Sequence, residues 1–208
     1  MKIEVRPSVV LITGASGGIG RAISLAYARR KVRLVLAARN ESSLESVGRE
    51  AIVNMSSVMG RKAFARFRSY AIAMHAVSAL SDALRQELTG TGVHVSVIHP
   101  ALTATDLLRE TPESEMPPAF RFMTPLTPER VAQATLNAVD RRHRRTVLPW
   151  QANMLRFGEA MSPRIGDTIA GALTIHTIAR LLGLSSGPSY HAAIGHLTAE
   201  YGGLTKTE

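Results

Sequence analysis

Apolar positions fall first into short continuous runs and later into helical stripes. Val9-Val10-Leu11-Ile12 is a β-branched and aliphatic run too short for a helix, and it predicts a strand over roughly residues 8–13. The run breaks into closely spaced glycines, after which Ile19, Ile23, Ala26 and Tyr27 line one side of a helix predicted over 19–30. Val32–Ala37 reads as a second strand, and Leu44 and Val47 as the apolar contacts of a helix beginning near Asn40. At Ala51 the pattern changes with no turn signal: a new strand, Ala51–Met55 with a polar end at Ser56-Ser57, follows directly on Gly48-Arg49-Glu50. From Tyr70 to Leu88 the period is again helical, with Ala73, Val77, Leu80, Leu84 and Leu88 as one stripe, widened by Ala76, Ala79 and Ala83. Val93–Ile98 is a strand ending in His99-Pro100-Ala101. Residues 106–126 hold four prolines and little periodicity, so they read as a loop. Thr127-Pro128 has the form of a cap and first helical residue, starting a helix to about Asp140. Arg145–Leu148 is a last strand, and residues 151–184 are helical in pattern, with Met154, Leu155, Phe157, Met161, Ile165 and Ile169 among the apolar contacts.

Strands alternating with helices predict an α/β chain with a parallel sheet. The first strand–turn–helix unit carries chemistry of its own. Backbone N–H groups at a glycine-rich helix N-terminus face an anion, and a Cβ at the crowded positions holds the chain off it, so the turn reads as a diphosphate cradle. At the end of the second strand an acidic residue accepts from a free ribose 2′-hydroxyl, whereas an Arg pairs with a 2′-phosphate. Ala38 stands there, followed by Arg39, and Arg21 lies just beyond the glycine turn; this predicts NADP in preference to NAD.

Thr13, Gly14, Gly18 and Gly20 form a Thr-Gly-x-x-x-Gly-x-Gly pattern inside TGASGGIG, which resembles the cofactor loop of the short-chain dehydrogenase/reductase family. The segments IVNMSSVMG and YAIAMHAV resemble that family's fifth strand and active helix, and Ser57 precedes Tyr70 by 13 residues, as it does there. Pro100–Thr105 resembles its Pro-Gly-x-x-x-Thr loop, with Ala101 in place of the Gly. The resemblance implies a Rossmann-like, doubly wound parallel sheet. It also implies a cofactor held by Thr13, Gly14, Ser16, Gly18, Ile19, Gly20, Arg21, Arg39 and Thr105, with Ser57 polarising a substrate oxygen and Tyr70 moving its proton. The family's Lys, four residues after the Tyr, is replaced by Met74, and Ala73 stands where the family usually has Ser. By the same comparison roughly 80 residues are absent near residue 50, with the third and fourth strands, their helices and the family's active-site Asn. The fourth strand is central, so the strands at 8–13 and 51–55 either pair directly or leave two unpaired edges.

At 208 residues and 45% apolar, the chain suits a globular core, and the organisation expected is a truncated nucleotide-binding domain over 1–150 with a helical extension over 151–208. The absence of cysteine excludes disulfides and thiolate ligands, no metal-ligand spacing occurs, and no apolar leader is set apart at the N-terminus; the cytoplasm is the expected compartment. The net charge of +9 favours anionic partners. Neither Arg141–Arg145 nor the Arg61, Lys62, Arg66, Arg68 group interleaves aromatics, however, and nucleic acid is not the expected partner. Asp167, His176 and Arg180 interrupt any membrane span, which leaves peripheral membrane contact of 151–184 as one use of its apolar face. The helix at 70–88 is wide enough to meet a second subunit, and the apolar 106–126 loop leans toward a lipophilic carbonyl or alcohol as substrate. Two readings follow: an NADP-dependent oxidoreductase in which Met74 weakens the site, or a non-catalytic remnant that binds nucleotide or another subunit.

Overall fold

The computed structural model describes residues 9–13, 18–30, 33–37, 51–111, 116, 120 and 123–172. Among the described residues five strands and six helices follow in chain order: β1 (Val9–Thr13), α1 (Gly18–Ala28), β2 (Arg33–Ala37), β3 (Ala51–Met55), α2 (Arg68–Glu87), β4 (His94–Pro100), α3 (Asp106–Glu110), α4 (Pro128–Asp140), β5 (Arg145–Leu148), α5 (Asn153–Met161) and α6 (Pro163–Ala172). Short 3₁₀ turns stand at Val58–Gly60 and Trp150–Ala152.

All strand pairing is parallel. β1 pairs with β2, Val9 opposite Arg33, while β3, β4 and β5 form a second ladder with Ala51 opposite His94 and Val97 opposite Arg145. Among the described residues β1 and β3 do not pair with each other, so the direct pairing that the sequence leaves open does not form there. The described residues form a partial Rossmann-like sheet, with fewer strands and helices than the full doubly wound fold. The effect shows in burial, since every residue of β3 is half-buried while β4 is buried from Val95 to Pro100.

One helical layer spans both ladders. Ile12 of β1 packs with Ala22, Ile23 and Tyr27 of α1 and with Ala132 and Leu136 of α4, and Met55 of β3 packs against the same cluster. Arg30 clamps Asp140 through two contacts, 2.8 and 2.7 Å, tying the end of α1 to the end of α4. Burial, with Asp140 beside it, pushes the Tyr27 phenol up to about 12. The start of α4 is as its sequence predicts: Thr127 accepts from the Arg130 amide at 3.2 Å and Pro128 is the first helical residue.

Three expectations need correction. α2 does not bury its apolar stripe: Ala71 and Ser81 are its buried residues, Met74 and Ser78 are half-buried beside them, and Leu80 is 55% exposed. Ser78 and Ser81 are tolerated inside because each hydroxyl returns to the carbonyl four residues back, at 2.9 and 2.7 Å. The 106–126 loop opens with a helical turn, α3, and its Met116, Phe120 and Met123 are buried in a cluster with Phe64 and Leu108. The described part of the 151–184 segment, up to Ala172, holds two helices broken at Ser162-Pro163; Phe157 is 69% and Met161 63% exposed, while Ile169 packs on the core. The helix expected from Asn40 and the part of the segment beyond Ala172 lie outside the described residues. Among those described, no helix is long and apolar enough to cross a membrane.

Candidate functional site

In a parallel sheet the strand ends that carry loops into helices converge on one rim, and ligands bind there. β1 leads to Gly18, β3 to Ser57, and β4 to the Ala101–Thr105 loop. Gly18 opens α1 with φ of +49°, and a Cβ built on it meets Thr105 Cγ2 at 3.1 Å. That close approach joins the glycine turn to the loop after β4 and explains why Gly is needed: a side chain is both strained and crowded there. Ile19 and Gly20 are half-buried and Arg21 is exposed, as a helix mouth open to a ligand requires. Thr105 is the residue before α3 and makes no side-chain cap, so its hydroxyl is not used to terminate that helix. An 11-residue helix beginning at a Cβ-intolerant glycine fits a dinucleotide diphosphate. Of the remaining predicted binding residues, Thr13 closes β1, whereas Gly14, Ser16 and Arg39 lie outside the described residues.

Ser57 is buried and caps the 3₁₀ turn at Val58–Gly60, its Oγ accepting from the Met59 amide at 3.1 Å. Accepting there leaves the hydroxyl proton to donate elsewhere. Its backbone carbonyl accepts from His99 Nδ1–H at 2.9 Å, so the last turn of β4 fixes the peptide that carries the serine. His99 is 1% exposed, its Nε2 has no hydrogen-bond partner among the described residues, and burial, partly offset by the Ser57 carbonyl, pulls its pKa down to about 4. The ring is therefore neutral, with the proton on Nδ1.

Tyr70 stands in the first turn of α2, 37% exposed and edge-on to Phe67 with ring centroids 6.3 Å apart. What holds α2 against the serine turn is a close backbone approach: Ser56 Oγ donates to the Met74 carbonyl at 3.0 Å, and a Cβ on Gly60 falls 2.6 Å from that same oxygen. Met74 thus serves the site through its backbone, while its half-buried side chain brings no charge. The two arginines nearest in sequence, Arg66 (φ +74°) and Arg68, are both exposed.

Two features had no signature in the sequence. One is His99 under Ser57. The other is Lys62, buried in the loop between Ser57 and Tyr70, whose Nζ reaches Glu159 of α5 at 2.5 Å and Asp167 of α6 at 2.7 Å. Burial lowers its pKa, but the Asp167 and Glu159 carboxylates more than reverse this and leave it raised. Among the described residues no cluster has the side chains to hold a metal ion.

The family model described as short chain dehydrogenase matches residues 8–51 and 48–116. The chain belongs to the short-chain dehydrogenase family. The two matched stretches meet at residues 48–51, where the hydrophobic pattern breaks. Relatives include 11-beta-hydroxysteroid dehydrogenase A of Sesamum indicum, 52% identical over 48 residues, or 23% of this chain and 14% of that protein. An uncharacterized oxidoreductase of Mycobacterium bovis is 28% identical over 171 residues, 77% of this chain and 48% of that one. The chain thus spans about half, or less, of the length of these curated relatives. Among solved structures, a short chain dehydrogenase from Burkholderia cenocepacia in complex with NADP superposes with a TM-score of 0.61 at 17% identity, covering 82% of this chain and 99% of that one. A likeness at that identity establishes the fold.

Proposed function

We propose that the chain is an NADP-dependent oxidoreductase that interconverts a carbonyl and an alcohol, with Ser57 and Tyr70 as the groups that touch the substrate oxygen. The observation that carries this reading is the serine turn: a buried hydroxyl with its proton free to donate, its carbonyl fixed by His99, and α2 braced beside it through the Met74 carbonyl. When bound, the nicotinamide supplies or accepts the hydride. Gly18, Ile19, Gly20 and Thr105, with Thr13, Gly14 and Ser16, hold the cofactor, and Arg21 and Arg39 meet its 2′-phosphate. Ser57 polarises the carbonyl oxygen, and the Tyr70 phenol gives its proton to the developing alkoxide. Without an ammonium at position 74 the turnover is slow. The open face of α2 favours a second copy of the chain, and exposed Phe157 and Met161 favour peripheral membrane contact.

A second reading, a non-catalytic protein that keeps nucleotide binding, is favoured by Met74 together with the break between β1 and β3. Fluorescence titration with NADPH and NADH, followed by carbonyl reduction assays on parent and Tyr70→Phe, separates the two. NADPH binding tighter than NADH, weakened by Arg39→Ala, with turnover abolished in Tyr70→Phe, supports the enzyme. Binding with no turnover supports the second reading, and equal affinities unchanged by Arg39→Ala refute the NADP preference.

A further inference from the structure

The basic run at residues 141–145 lies at the end of the sheet opposite the candidate site. Parallel strands start at one end, so the turns that lead into β4 and β5 stand together there, and the seven residues of β4 separate them from the rim by ~20 Å. A cofactor phosphate at the rim therefore does not account for this charge. The run is pinned by its backbone while its side chains face out. The Arg141, Arg142 and His143 amides donate to the Asn137, Val139 and Ala138 carbonyls of α4 at 3.0, 3.1 and 2.8 Å. The His143 carbonyl accepts from Ser96 Oγ at 2.7 Å, and the Arg144 carbonyl from the Val97 amide at 3.0 Å. All five residues from 141 to 145 are exposed.

The aspartates of this end are already matched. Asp140 holds Arg30 at 2.7 Å, and Asp82 holds Arg85 at 2.6 Å together with Arg145. Burial raises the Asp82 pKa, but Arg85 and Arg145 more than reverse this and leave it lowered. Arg141, Arg142 and Arg144 have no carboxylate partner among the described residues; Arg142 donates to the Gly92 carbonyl at 3.4 Å. Arg29, exposed at the end of α1 beside Arg30, adds a fourth guanidinium, against one further carboxylate among the described residues here, Glu87 in the last turn of α2. The dipole of α4 accounts for Arg141, which caps it, but its reach ends within that turn and Arg144 stands one residue ahead of β5. Next to the run, the turn into β4 is small and uncharged: Gly90 and Gly92 both have φ of +86°, with nothing within 4 Å of where a Cβ would stand. None of the large exposed apolar side chains of the described residues lies in either turn.

We propose that this end of the sheet is a contact surface for an anionic phospholipid bilayer, held by charge and not by insertion. Guanidiniums pair with phosphate through two parallel N–H groups, and lipid headgroups shift laterally to meet the spacing that the pinned backbone imposes. Clusters of roughly four to eight basic residues are the size that anionic membranes attract. A specific protein partner calls for an apolar centre that neither turn offers, and a nucleic acid single strand for aromatic platforms that both turns lack. The face is distinct from Phe157 and Met161, which belong to α5 and follow the C-terminal end of β5. On the bilayer, the rim with Gly18 and Ser57 points away from the lipid.

The test is co-sedimentation of the full chain with vesicles of phosphatidylcholine, with and without a third of phosphatidylserine, at ~0.1 M and ~1 M NaCl. Phosphatidylserine should raise binding ~10-fold or more at the lower salt, and the higher salt should abolish the gain. Changing Arg141, Arg142 and Arg144 together to Gln should remove it, whereas changing all three to Lys should keep most of it. If urea unfolding shows the Gln triple to be destabilised, Arg144→Gln is read alone; its guanidinium bonds nothing among the described residues, and its loss should weaken binding by ~3-fold or more. Binding indifferent to phosphatidylserine overturns the proposal, as does binding kept in the Gln variants but lost in Phe157→Ser with Met161→Ser. Duplex DNA or polyglutamate that displaces the chain from vesicles at lower anion concentration assigns the face to a nucleic acid or an acidic protein and also overturns it. None of these outcomes depends on turnover, so the surface stands or falls apart from the proposed enzymatic activity.

Discussion

His99 makes the stability of the chain depend on pH in a way that can be worked out from its surroundings. The ring is 1% exposed, donates through Nδ1 to the Ser57 carbonyl, and has an unpartnered Nε2 that burial keeps deprotonated down to about pH 4. In the unfolded chain a histidine titrates near ~6.5. Between these values the unfolded state binds the proton that the folded state refuses, so stability is full above pH ~6.5 and is lost as pH falls toward 4. At ~1.36 kcal/mol per unit the loss between pH 7.5 and 5 is about 2 kcal/mol, a large share of the net stability of a small domain. Urea unfolding at a series of pH values measures it on the parent and on His99→Asn, which keeps an N–H for the Ser57 carbonyl but cannot titrate. The variant should be weaker at pH 7.5, through lost packing, yet flatter between 7.5 and 5. His94, whose pKa burial also lowers, contributes to both proteins alike, so the difference in slope belongs to His99. Parallel curves for parent and variant refute the reasoning.

Gly60→Ala should cost about 1–3 kcal/mol in urea unfolding, because the new methyl meets the Met74 carbonyl and Ser56 Oγ, both fixed by hydrogen bonds; an unchanged midpoint overturns the view that this approach braces α2. Met74→Lys should raise carbonyl reduction by ~10-fold or more, since it sets an ammonium one turn along from Tyr70 on the same face. Adding Tyr70→Phe should erase that gain. If the parent already works at an ordinary rate and Met74→Lys changes nothing, another cation fills the role.

What the sequence makes legible is whatever is decided locally. The run Val9–Thr13, the cap at Thr127-Pro128 and the glycine at the mouth of α1 each carry their reason within a few residues, and each stands where the pattern places it. The face of α2 is misread because hydrophobicity marks Leu80, which lies 55% exposed, while the buried positions Ala71 and Ser81 are small. A serine whose hydroxyl bonds back to its own helix enters a core without any apolar mark. His99 under Ser57 and Lys62 under Glu159 and Asp167 join residues 42, 97 and 105 positions apart, and no local pattern encodes such a meeting. Whether β1 and β3 pair is legible in the sequence only as a choice between two outcomes, because no local pattern in either strand names its neighbour.

The Lys62 contacts also bear on how far the chain can be shortened from its C-terminal side. The lysine sits in the loop that separates Ser57 from Tyr70, and both its counter-ions come from the last two described helices. Truncation ahead of Glu159 removes both carboxylates from the lysine in the loop on which the spacing of those two side chains depends; with the Glu159 and Asp167 side chains 37% and 74% exposed, each lost pair typically costs ~0.2–1 kcal/mol. The last two described helices, remote in sequence from the glycine turn and the serine, thus anchor the loop between Ser57 and Tyr70, and a trimmed chain is loosened at that loop as well as at its edge.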